Sequence, residues 1–331
     1  MTKTNYQKAC PHCHEKMIRN GFDKNGKQIW YCPHCNKHKV FTRKDILLLW
    51  WLNIYIKILL GLMRLNELCC CRRTYERHIK QFRTKIISLP PVTEKYNQIL
   101  IDGVWISKKI CILIARTEQG VIAFDKYSKE NSDAWIKFLS NIRAPEYVVC
   151  DGQKFLSLAL NECWSQSLVQ RCQFHVCMNV TQKITRKPKT PLGFTLLKLK
   201  HAIFQVDTPE KVRAWGDYLN YLIKKFNWYL KRRSYGPNGG WWYTHKRDRS
   251  CIYQLKKLYE SGDLFRWVFE NRFVVNNTTN SVEGGVNAPL KDKLRNHKGA
   301  RTQTKIMIAF VYLYTRSINY NYRKLWQLFV A

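Results

Sequence analysis

Acidic residues are scarce in this chain of 331 residues, which has 23 Asp and Glu against 57 Lys and Arg and a formal net charge of +34. This imbalance argues against an enzyme of small neutral metabolites and favours a polyanionic partner, with nucleic acid as the first expectation. Because 45% of the residues are hydrophobic and 14% are aromatic, a disordered basic tail is excluded for most of the chain.

Long uninterrupted apolar runs are also missing. The stretch from Ile46 to Leu62 is interrupted by Asn53, Lys57 and Gly61 and falls short of the ~20 residues that a membrane helix needs. The N-terminus has no hydrophobic core of a signal peptide. The 13 cysteines include pairs with metal-ligand spacing, which favours a reducing compartment over a secreted disulfide scaffold. The sequence therefore predicts a cytoplasmic, nucleoid-associated protein with no membrane partner.

The acids that the chain does have are concentrated in its middle. Residues 99–171 carry 9 basic and 8 acidic residues, whereas 1–98 carry 19 and 6, and 172–331 carry 29 and 9. Two basic flanks suit phosphate contacts, and a near-neutral centre that keeps its acids suits a metal-dependent active site.

Two Cys-x-x-Cys pairs near the N-terminus, Cys10-Pro-His-Cys13 and Cys32-Pro-His-Cys35, are separated by 18 residues. This spacing predicts one tetrahedral Zn²⁺ site, and the zinc is expected to be structural because the protein supplies all four ligands. Turn residues and the run 28–31 between the pairs predict a hairpin. The surrounding basic residues favour phosphate contact, with protein contact as the alternative.

Residues 45–85 have a largely helical pattern. Tyr75, Ile79 and Phe82 lie on one face at i, i+4 and i+7, which predicts the recognition helix of a helix-turn-helix. A short helix over 65–71 with a tight join is expected before it. The alternative is a helical linker with a solvated basic face. The outward basic residues of the predicted recognition helix are Arg72, Arg73, Arg77 and Lys80.

From residue 98 the sequence pattern changes. It predicts three short strands, then a helix capped by Asn131, a fourth strand and another helix. That order is the order of the ribonuclease H-like fold. In that fold the first strand carries one carboxylate and the tip of the fourth strand carries another nearby. Asp102 and Asp151 occupy these places, so their carboxylates are predicted to lie together where Mg²⁺ would bind. The alternative is that each Asp-Gly pair is an ordinary turn signal. The predicted strands are 99–106, 110–115, 120–127 and 147–151.

Glu283 is the candidate for a third acid, because it stands in a polar loop that leads into a helix. The alternative is a capping box, with Asn280 as the N-cap and Glu283 at N3. Metal ligation is compatible with that alternative only if the Glu283 side chain turns toward the sheet.

Asp102 in Leu-Ile-Asp-Gly, Asp151 in Cys-Asp-Gly, the pair Cys172-Gln-Phe-His175 and Glu283 in Thr-Thr-Asn-Ser-Val-Glu-Gly together resemble the DDE transposases of the Mutator-like superfamily of bacterial insertion sequences. The predicted N-terminal zinc ribbon and helix-turn-helix are arranged as in such transposases. The resemblance implies that the three acids ligate two Mg²⁺ or Mn²⁺ ions and that Cys172 and His175 shape the site beside the scissile phosphate. For Cys172 and His175 the alternative is a buried thiol and a structural histidine.

The resemblance also implies a function. The protein is expected to cut donor DNA at the element's terminal inverted repeats, to expose 3′-hydroxyls and to join them to target DNA. A homodimer or higher oligomer is expected, because two ends must be held together. The competing hypotheses are a zinc-ribbon and helix-turn-helix regulator with an inactive core, and a ribonuclease H-like nuclease or resolvase.

The expected fold is α/β, with a ribonuclease H-like core that is interrupted by an all-α insertion domain and preceded by a zinc ribbon and a helix-turn-helix. The long gap between Asp151 and Glu283 resembles the insertion domain of this superfamily. The expected domains are a zinc ribbon (1–43), a helix-turn-helix domain (44–92), the first part of the core (93–175), the insertion (176–275) and the last part of the core (276–331).

Aromatic residues among basic ones in the insertion suit a DNA end with partly unstacked bases. Arg266 and Trp267 resemble a pair in related insertion domains, and Trp267 is the first candidate for a flipped base, with Trp241 and Trp242 second. A basic run after Glu283 is expected to contact phosphate, with a solvated basic face as the alternative. That run contains Lys291, Lys293, Arg295, Lys298 and Arg301.

Overall fold

The computed structural model describes residues 8–41, 43–83, 85, 89–270, 276–321, 325 and 329. The ends of the predicted first and last domains, 1–7 and 330–331, and the junction 271–275 lie outside the described residues. Within the part of the chain that is described, no helix has the length and apolar character that spanning a membrane requires.

A small three-stranded antiparallel sheet opens the described chain. It consists of β1 (Ile18–Phe22), β2 (Gln28–Tyr31) and β3 (His38–Val40), in that spatial order. The turn between β1 and β2 contains Gly26 at φ +69°, and the Asp23 carboxylate accepts from the backbone N–H of Lys27 at 2.7 Å. The hairpin predicted between the two cysteine pairs is confirmed and gains a third strand.

Two helices follow the small sheet: α1 (Arg43–Leu59) and α2 (Arg72–Ile79). The apolar face predicted for α2 is confirmed, since Tyr75, Ile79 and Phe82 are buried. The predicted short helix over 65–71 is wrong: a 3₁₀ turn forms at Leu65–Glu67, and residues 68–71 separate it from α2, so the tight join expected between that helix and α2 is absent as well. The chain leaves α1 at Gly61, whose φ of +70° favours glycine.

A mixed five-stranded sheet forms the centre, in the order β6-β5-β4-β7-β8. The first three strands of the sequence are antiparallel neighbours, whereas β4, β7 and β8 run parallel. The predicted meander and the fourth strand are confirmed; β8 was not predicted. The bounds are β4 (Gln98–Ser107), β5 (Ile110–Arg116), β6 (Val121–Tyr127), β7 (Tyr147–Cys150) and β8 (Leu168–Arg171).

Both faces of this sheet are covered. One face packs against α3 (Ser132–Leu139) and α4 (Lys154–Cys163), around the fully buried Trp135. The predicted cap of α3 is confirmed, because Asn131 Oδ1 accepts from Ala134 N at 3.1 Å. The opposite face shares one hydrophobic core with α1 and α2 and with a C-terminal helix described below. The N-terminal helices therefore pack onto the same core as the central sheet.

A mainly helical region with its own core lies between β8 and the last part of the chain. The expectation that this insertion is entirely helical is wrong, because residues 233–243 form an antiparallel hairpin in which Trp241 pairs with Tyr235. Aromatic residues favour strands, and the Gly-Gly before Trp241 supplies the turn. The elements are α5 (Gln173–Ile184), α6 (Pro191–Ala202), α7 (Pro209–Lys225), α8 (Asn227–Lys231), β9 (Arg233–Tyr235), β10 (Trp241–Tyr243) and α9 (Lys246–Glu260).

The last described segment returns to the sheet. A short helix α10 (Asn280–Val282) passes into a π-helical turn at Glu283–Asn287 and then into α11 (Ala288–Asn296). The almost fully buried helix α12 (Thr302–Thr315) packs on the sheet face that α1 also covers.

Candidate active site

Asp102 and Asp151 lie at equivalent positions of the neighbouring parallel strands β4 and β7, with Asp151 directly after the end of β7. Leu100 of β4 pairs with Val149 of β7, and each aspartate follows two residues after its member of that pair. The parallel register therefore places the two carboxylates side by side, as the sequence predicted.

Asp102 is held on both carboxylate oxygens. Asn287 Nδ2 donates to its Oδ2 at 2.6 Å, and the backbone N–H of Gly103 donates to its Oδ1 at 2.9 Å. Burial, followed by the negative charge of Glu283, raises the pKa of Asp102 to about 7, whereas His175 acts in the opposite direction and Asp151 adds a smaller rise. Four groups of the predicted site thus act on one another electrostatically.

The Asp151 turn is built around a guanidinium group. Gln153 donates to Asp151 from its backbone N–H at 3.1 Å and from its Nε2 at 2.6 Å. Gly152 has φ +66°, and a Cβ at this position would lie 1.9 Å from Cζ of Arg171. Arg171 also donates to the carbonyl oxygen of Asp151. The positive φ of Gly152 favours glycine here, and the Arg171 guanidinium fills the space that a Cβ would take. The alternative of an ordinary turn is wrong for Asp102-Gly103, which lies inside β4.

Glu283 joins the site through a histidine. Its Oε1 lies 2.7 Å from Nε2 of His175, and both side chains are mostly buried. Burial acts to lower the pKa of His175, but interactions with Cys172 and Glu283 raise it to about 10. His175 is therefore protonated at neutral pH. The alternative of a capping box is wrong: Thr279 is the N-cap of α10, and the Glu283 carboxylate turns to His175 instead of to the backbone of Asn280.

Cys172 stabilises the segment that carries Glu283. It is the N-cap residue of α5, and its buried Sγ accepts hydrogen bonds from the backbone N–H and the hydroxyl of Thr279, each at 3.2 Å. These bonds and contact with His175 lower the pKa of the Cys172 thiol although burial acts to raise it. Cys172 thus binds Thr279, and His175 binds Glu283. The Cys-x-x-His pair therefore fixes the segment that carries the predicted third acid at two residues.

Three further residues shape the site and were not predicted. Asn287 binds Asp102 from the turn that carries Glu283. Arg116 of β5 donates to the carbonyl oxygen of Ser281 and lies under Gly285, which fixes the approach of that turn to the sheet. Glu130 accepts from Trp105 Nε1 at 3.1 Å and packs against Gly103.

Glu130 is a fourth acid near the predicted pair. A Cβ at Gly103 would lie 2.5 Å from Glu130 Oε1, so a larger residue at this position would displace the Glu130 carboxylate. Burial and the charge of Asp151 raise the pKa of Glu130. Its position directly before the helix cap Asn131 is the one sequence signal that could have drawn attention to it.

The donor chemistry of the three predicted acids fits a divalent cation, since Mg²⁺ binds carboxylate oxygens. Besides burial, the negative charges of Glu283 and Asp151 raise the pKa of Asp102, and a bound cation would offset this repulsion. Each carboxylate is also engaged by a protein group, Asp102 by Asn287, Asp151 by Gln153 and Glu283 by His175. Among the described residues, the three acids do not form a cluster with all ligand atoms within 4.8 Å.

The four N-terminal cysteines do form such a cluster, with their sulfur atoms all within 4.8 Å of one another. Cys10 Sγ lies 3.4 Å from Cys35 Sγ, and Cys13 Sγ lies 3.2 Å from Cys32 Sγ. Bonds of ~2.3 Å to a tetrahedral zinc place sulfurs about 3.8 Å apart, so the donor set fits this ion. These cysteines could therefore hold a structural zinc, in agreement with the predicted ribbon.

The two cysteine pairs have the same backbone form. His14 N bonds to Cys10 O and Asn36 N bonds to Cys32 O, each at 2.9 Å. His14 and Asn36 both adopt positive φ, at 69° and 57°. The site is thus made of two matching knuckles.

The predicted DNA contacts differ in how they are placed. Trp241 and Trp242 expose 47% and 52% of their surface, whereas Trp267 is half-buried against the core of the insertion. Arg266 binds Asp263, Val169 O and Ser261 O, and these bonds occupy its guanidinium. The basic residues of α2 (Arg72, Arg73, Arg77 and Lys80) and four of the C-terminal run (Lys291, Arg295, Lys298 and Arg301) are exposed.

Lys293 is the exception in that run. Its Nζ donates to the carbonyl oxygen of Leu60, at the end of α1, at 2.6 Å and lies over the ring of Tyr312. This ammonium group ties α11 to α1 and is less available to a phosphate than its neighbours.

Residues 93–231 match the family model described as "Transposase, Mutator family". This segment is similar to Mutator-family transposases. The resemblance inferred from the motifs is confirmed, and the match contains Asp102, Asp151, Cys172 and His175 but ends before Glu283. A search of the curated proteins finds no match. The matched segment supports a transposase role, which implies DNA as the substrate.

Proposed function

We propose that this protein is the transposase of a mobile DNA element. It binds the terminal inverted repeats of the element, cleaves the donor strands to expose 3′-hydroxyls and joins these hydroxyls to target DNA. The observation that carries the proposal is the contact between Glu283 and His175, because it brings an acid from outside the matched segment to the aspartate pair inside it.

The strand order β6-β5-β4-β7-β8 supports a ribonuclease H-like core. Three antiparallel strands are followed by two parallel ones, and the acids occur on the first strand and after the fourth. The chain from residue 172 to the end of the helical insertion then separates these acids from Glu283.

Asp102, Asp151 and Glu283 would hold the metal ions. Two Mg²⁺ or Mn²⁺ ions, when bound, supply the charge that activates a water or 3′-hydroxyl and stabilises the leaving oxygen of an in-line displacement at phosphorus. Asn287 orients Asp102, and Gln153 orients Asp151. His175, kept protonated beside Glu283, adds a positive charge where a DNA phosphate is to be placed.

The exposed basic surfaces are assigned to DNA binding. The zinc ribbon and α2 are assigned to recognition of the terminal repeats, and the β9–β10 hairpin and the exposed C-terminal basic residues to the cleaved strand. Within the hairpin, Arg233 lies over Trp241 at 4.0 Å, so this ring is already stacked, and Trp242 is the more available of the two.

The test uses the full-length protein with Mg²⁺ or Mn²⁺ and a DNA that carries the terminal inverted repeats from the flanks of the gene. We expect nicked and joined products. Asp102→Ala, Asp151→Ala and Glu283→Ala should abolish both products while they leave repeat binding intact, because these residues act on the metal and not on recognition. Glu162→Ala removes an exposed carboxylate of α4 and serves as the matched control.

The outcomes separate the competing hypotheses. Nicks without joined products would indicate a nuclease or resolvase, and binding without cleavage would indicate a regulator with an inactive core. Full activity of Glu283→Ala would refute the assignment of the third acid. Sedimentation of the protein with two repeat ends tests the expected dimer or higher oligomer.

A further inference from the structure

A groove of about 860 Å³ lies between α5 and α6, and none of Asp102, Asp151 and Glu283 lines it. Its apolar surface comes from Phe174 and Met178 of α5, Leu197 of α6 and Phe204 just after α6. Phe204 exposes 49% of its surface and Met178 exposes 38%. The groove therefore offers a ring and apolar side chains to a ligand from solvent.

The rim of the groove is cationic. Arg186, Lys200 and His201 line it, and among the described residues that line it none is acidic. The bias is wider than the groove, because residues 163–206 contain seven Lys and Arg and no Asp or Glu. Such a surface selects an anionic ligand, and it repels a second copy of a chain with a net charge of +34.

One end of the groove adjoins the candidate active site. Phe174 precedes His175, and their rings are 6.0 Å apart in an edge-on arrangement. His175 in turn contacts Glu283. A strand that passes the acids can therefore enter the groove without leaving the surface of α5.

Rings that are framed by cations bind unpaired nucleotides, because each base stacks on a ring while Lys and Arg hold the phosphates. The bases of a duplex are already stacked on one another and cannot reach these rings. We propose that the α5–α6 groove binds a short single-stranded DNA segment next to the cleaved phosphate. This inference rests on the proposed function and adds the location and strand state of the bound DNA.

The test measures binding of a fluorescein-labelled oligothymidylate of about a dozen nucleotides, a length within the range of single-strand sites. EDTA is present so that no cleavage occurs, and a duplex of the same length is measured in parallel. Phe204→Ala should weaken single-strand binding about tenfold and leave duplex binding unchanged. Phe204→Trp should restore the affinity, since tryptophan also stacks. Arg186→Glu, at an exposed position, should weaken it as well.

Phe194→Ala is the matched control, because Phe194 exposes 55% of its surface on α6 and does not line the groove. Ultraviolet crosslinking of an oligonucleotide with 5-iodouracil should attach to peptides with Phe174 or Phe204. Equal effects of Phe204→Ala and Phe194→Ala, or crosslinks only elsewhere, would overturn the inference. So would a change in sedimentation of Phe204→Ala without a change in binding, which would indicate a second copy as the occupant.

The two proposals can fail separately. Metal-dependent cleavage that persists while the groove variants bind single strands like the native protein refutes only the groove. Loss of single-strand binding in Phe204→Ala, in a protein that cuts no DNA, refutes only the transposase assignment.

Discussion

Replacement of Cys172 by alanine tests how the third acid is positioned. The Cys172 side chain is fully buried, and its sulfur is the acceptor for two groups of Thr279, which is 1% exposed. Cys172→Ala leaves both Thr279 donors without that acceptor. A buried donor left unpaired costs about 1–3 kcal/mol.

This cost falls on the segment that carries Glu283, four residues after Thr279. Because about 1.4 kcal/mol corresponds to a tenfold change in an equilibrium constant, the equilibrium between Glu283 in place and Glu283 displaced should shift about tenfold or more toward the displaced state. We expect a decrease of up to this order in the cleavage rate of a terminal-repeat DNA at saturating Mg²⁺. Cys172→Ser keeps an acceptor and should recover most of the rate.

The assay needs a control for global unfolding. Cys163→Ala, at a half-buried cysteine of α4 on the other face of the sheet, serves this purpose together with a thermal melt of each variant. A Cys172→Ala protein that is folded and cleaves at the native rate would refute the proposed support of Glu283 by Cys172.

Three further results are expected. Cys32→Ser, or a zinc chelator, should unfold the N-terminal ribbon and remove about one zinc per chain by atomic absorption, and retention of the zinc would contradict the four-cysteine site. Burial and neighbouring charge raise the pKa of Asp102 to about 7, so in EDTA the folded state holds a proton that the unfolded state releases near pH 4. Thermal stability should therefore fall as the pH rises from about 4 to 7, and Asp102→Asn should flatten this slope; an unchanged slope would show that Asp102 is not its source. Gly103→Ala should displace Glu130 and slow cleavage, whereas Gly284→Ala, with nothing within 4 Å of its added Cβ, should not, and equal rates for the two variants would refute the role of the Gly103 contact.

The central strands could be predicted because their apolar runs are short and bounded by turn residues, and the cap at Asn131 followed from its side chain. The side-by-side placement of Asp102 and Asp151 followed from the strand and helix order expected for a ribonuclease H-like fold, and the parallel register of β4 and β7 agrees with it. The strands and the cap depend on local sequence.

The features that could not be predicted depend on contacts between distant segments. Spacing left open whether Glu283 belongs to the site or to a capping box, and its contact with His175, more than 100 residues earlier, decides against the capping box. Glu130 is an ordinary loop acid until the fold brings Gly103 against it. The connection 60–71 was predicted to be helical from its apolar residues, but Gly61 ends α1 and only one 3₁₀ turn follows.

The hydrogen bond between Lys293 Nζ and the carbonyl oxygen of Leu60 connects the C-terminal part of the chain to the N-terminal helices. Lys293 lies ten residues after Glu283, on the helix that continues from the π-helical turn. A displacement of α1, of the kind that DNA bound by the N-terminal third would cause in the proposed function, would act on α11 through this bond as well as through the shared hydrophobic core. The Lys293 ammonium group is thus a polar link between the N-terminal helices and the segment that carries Glu283.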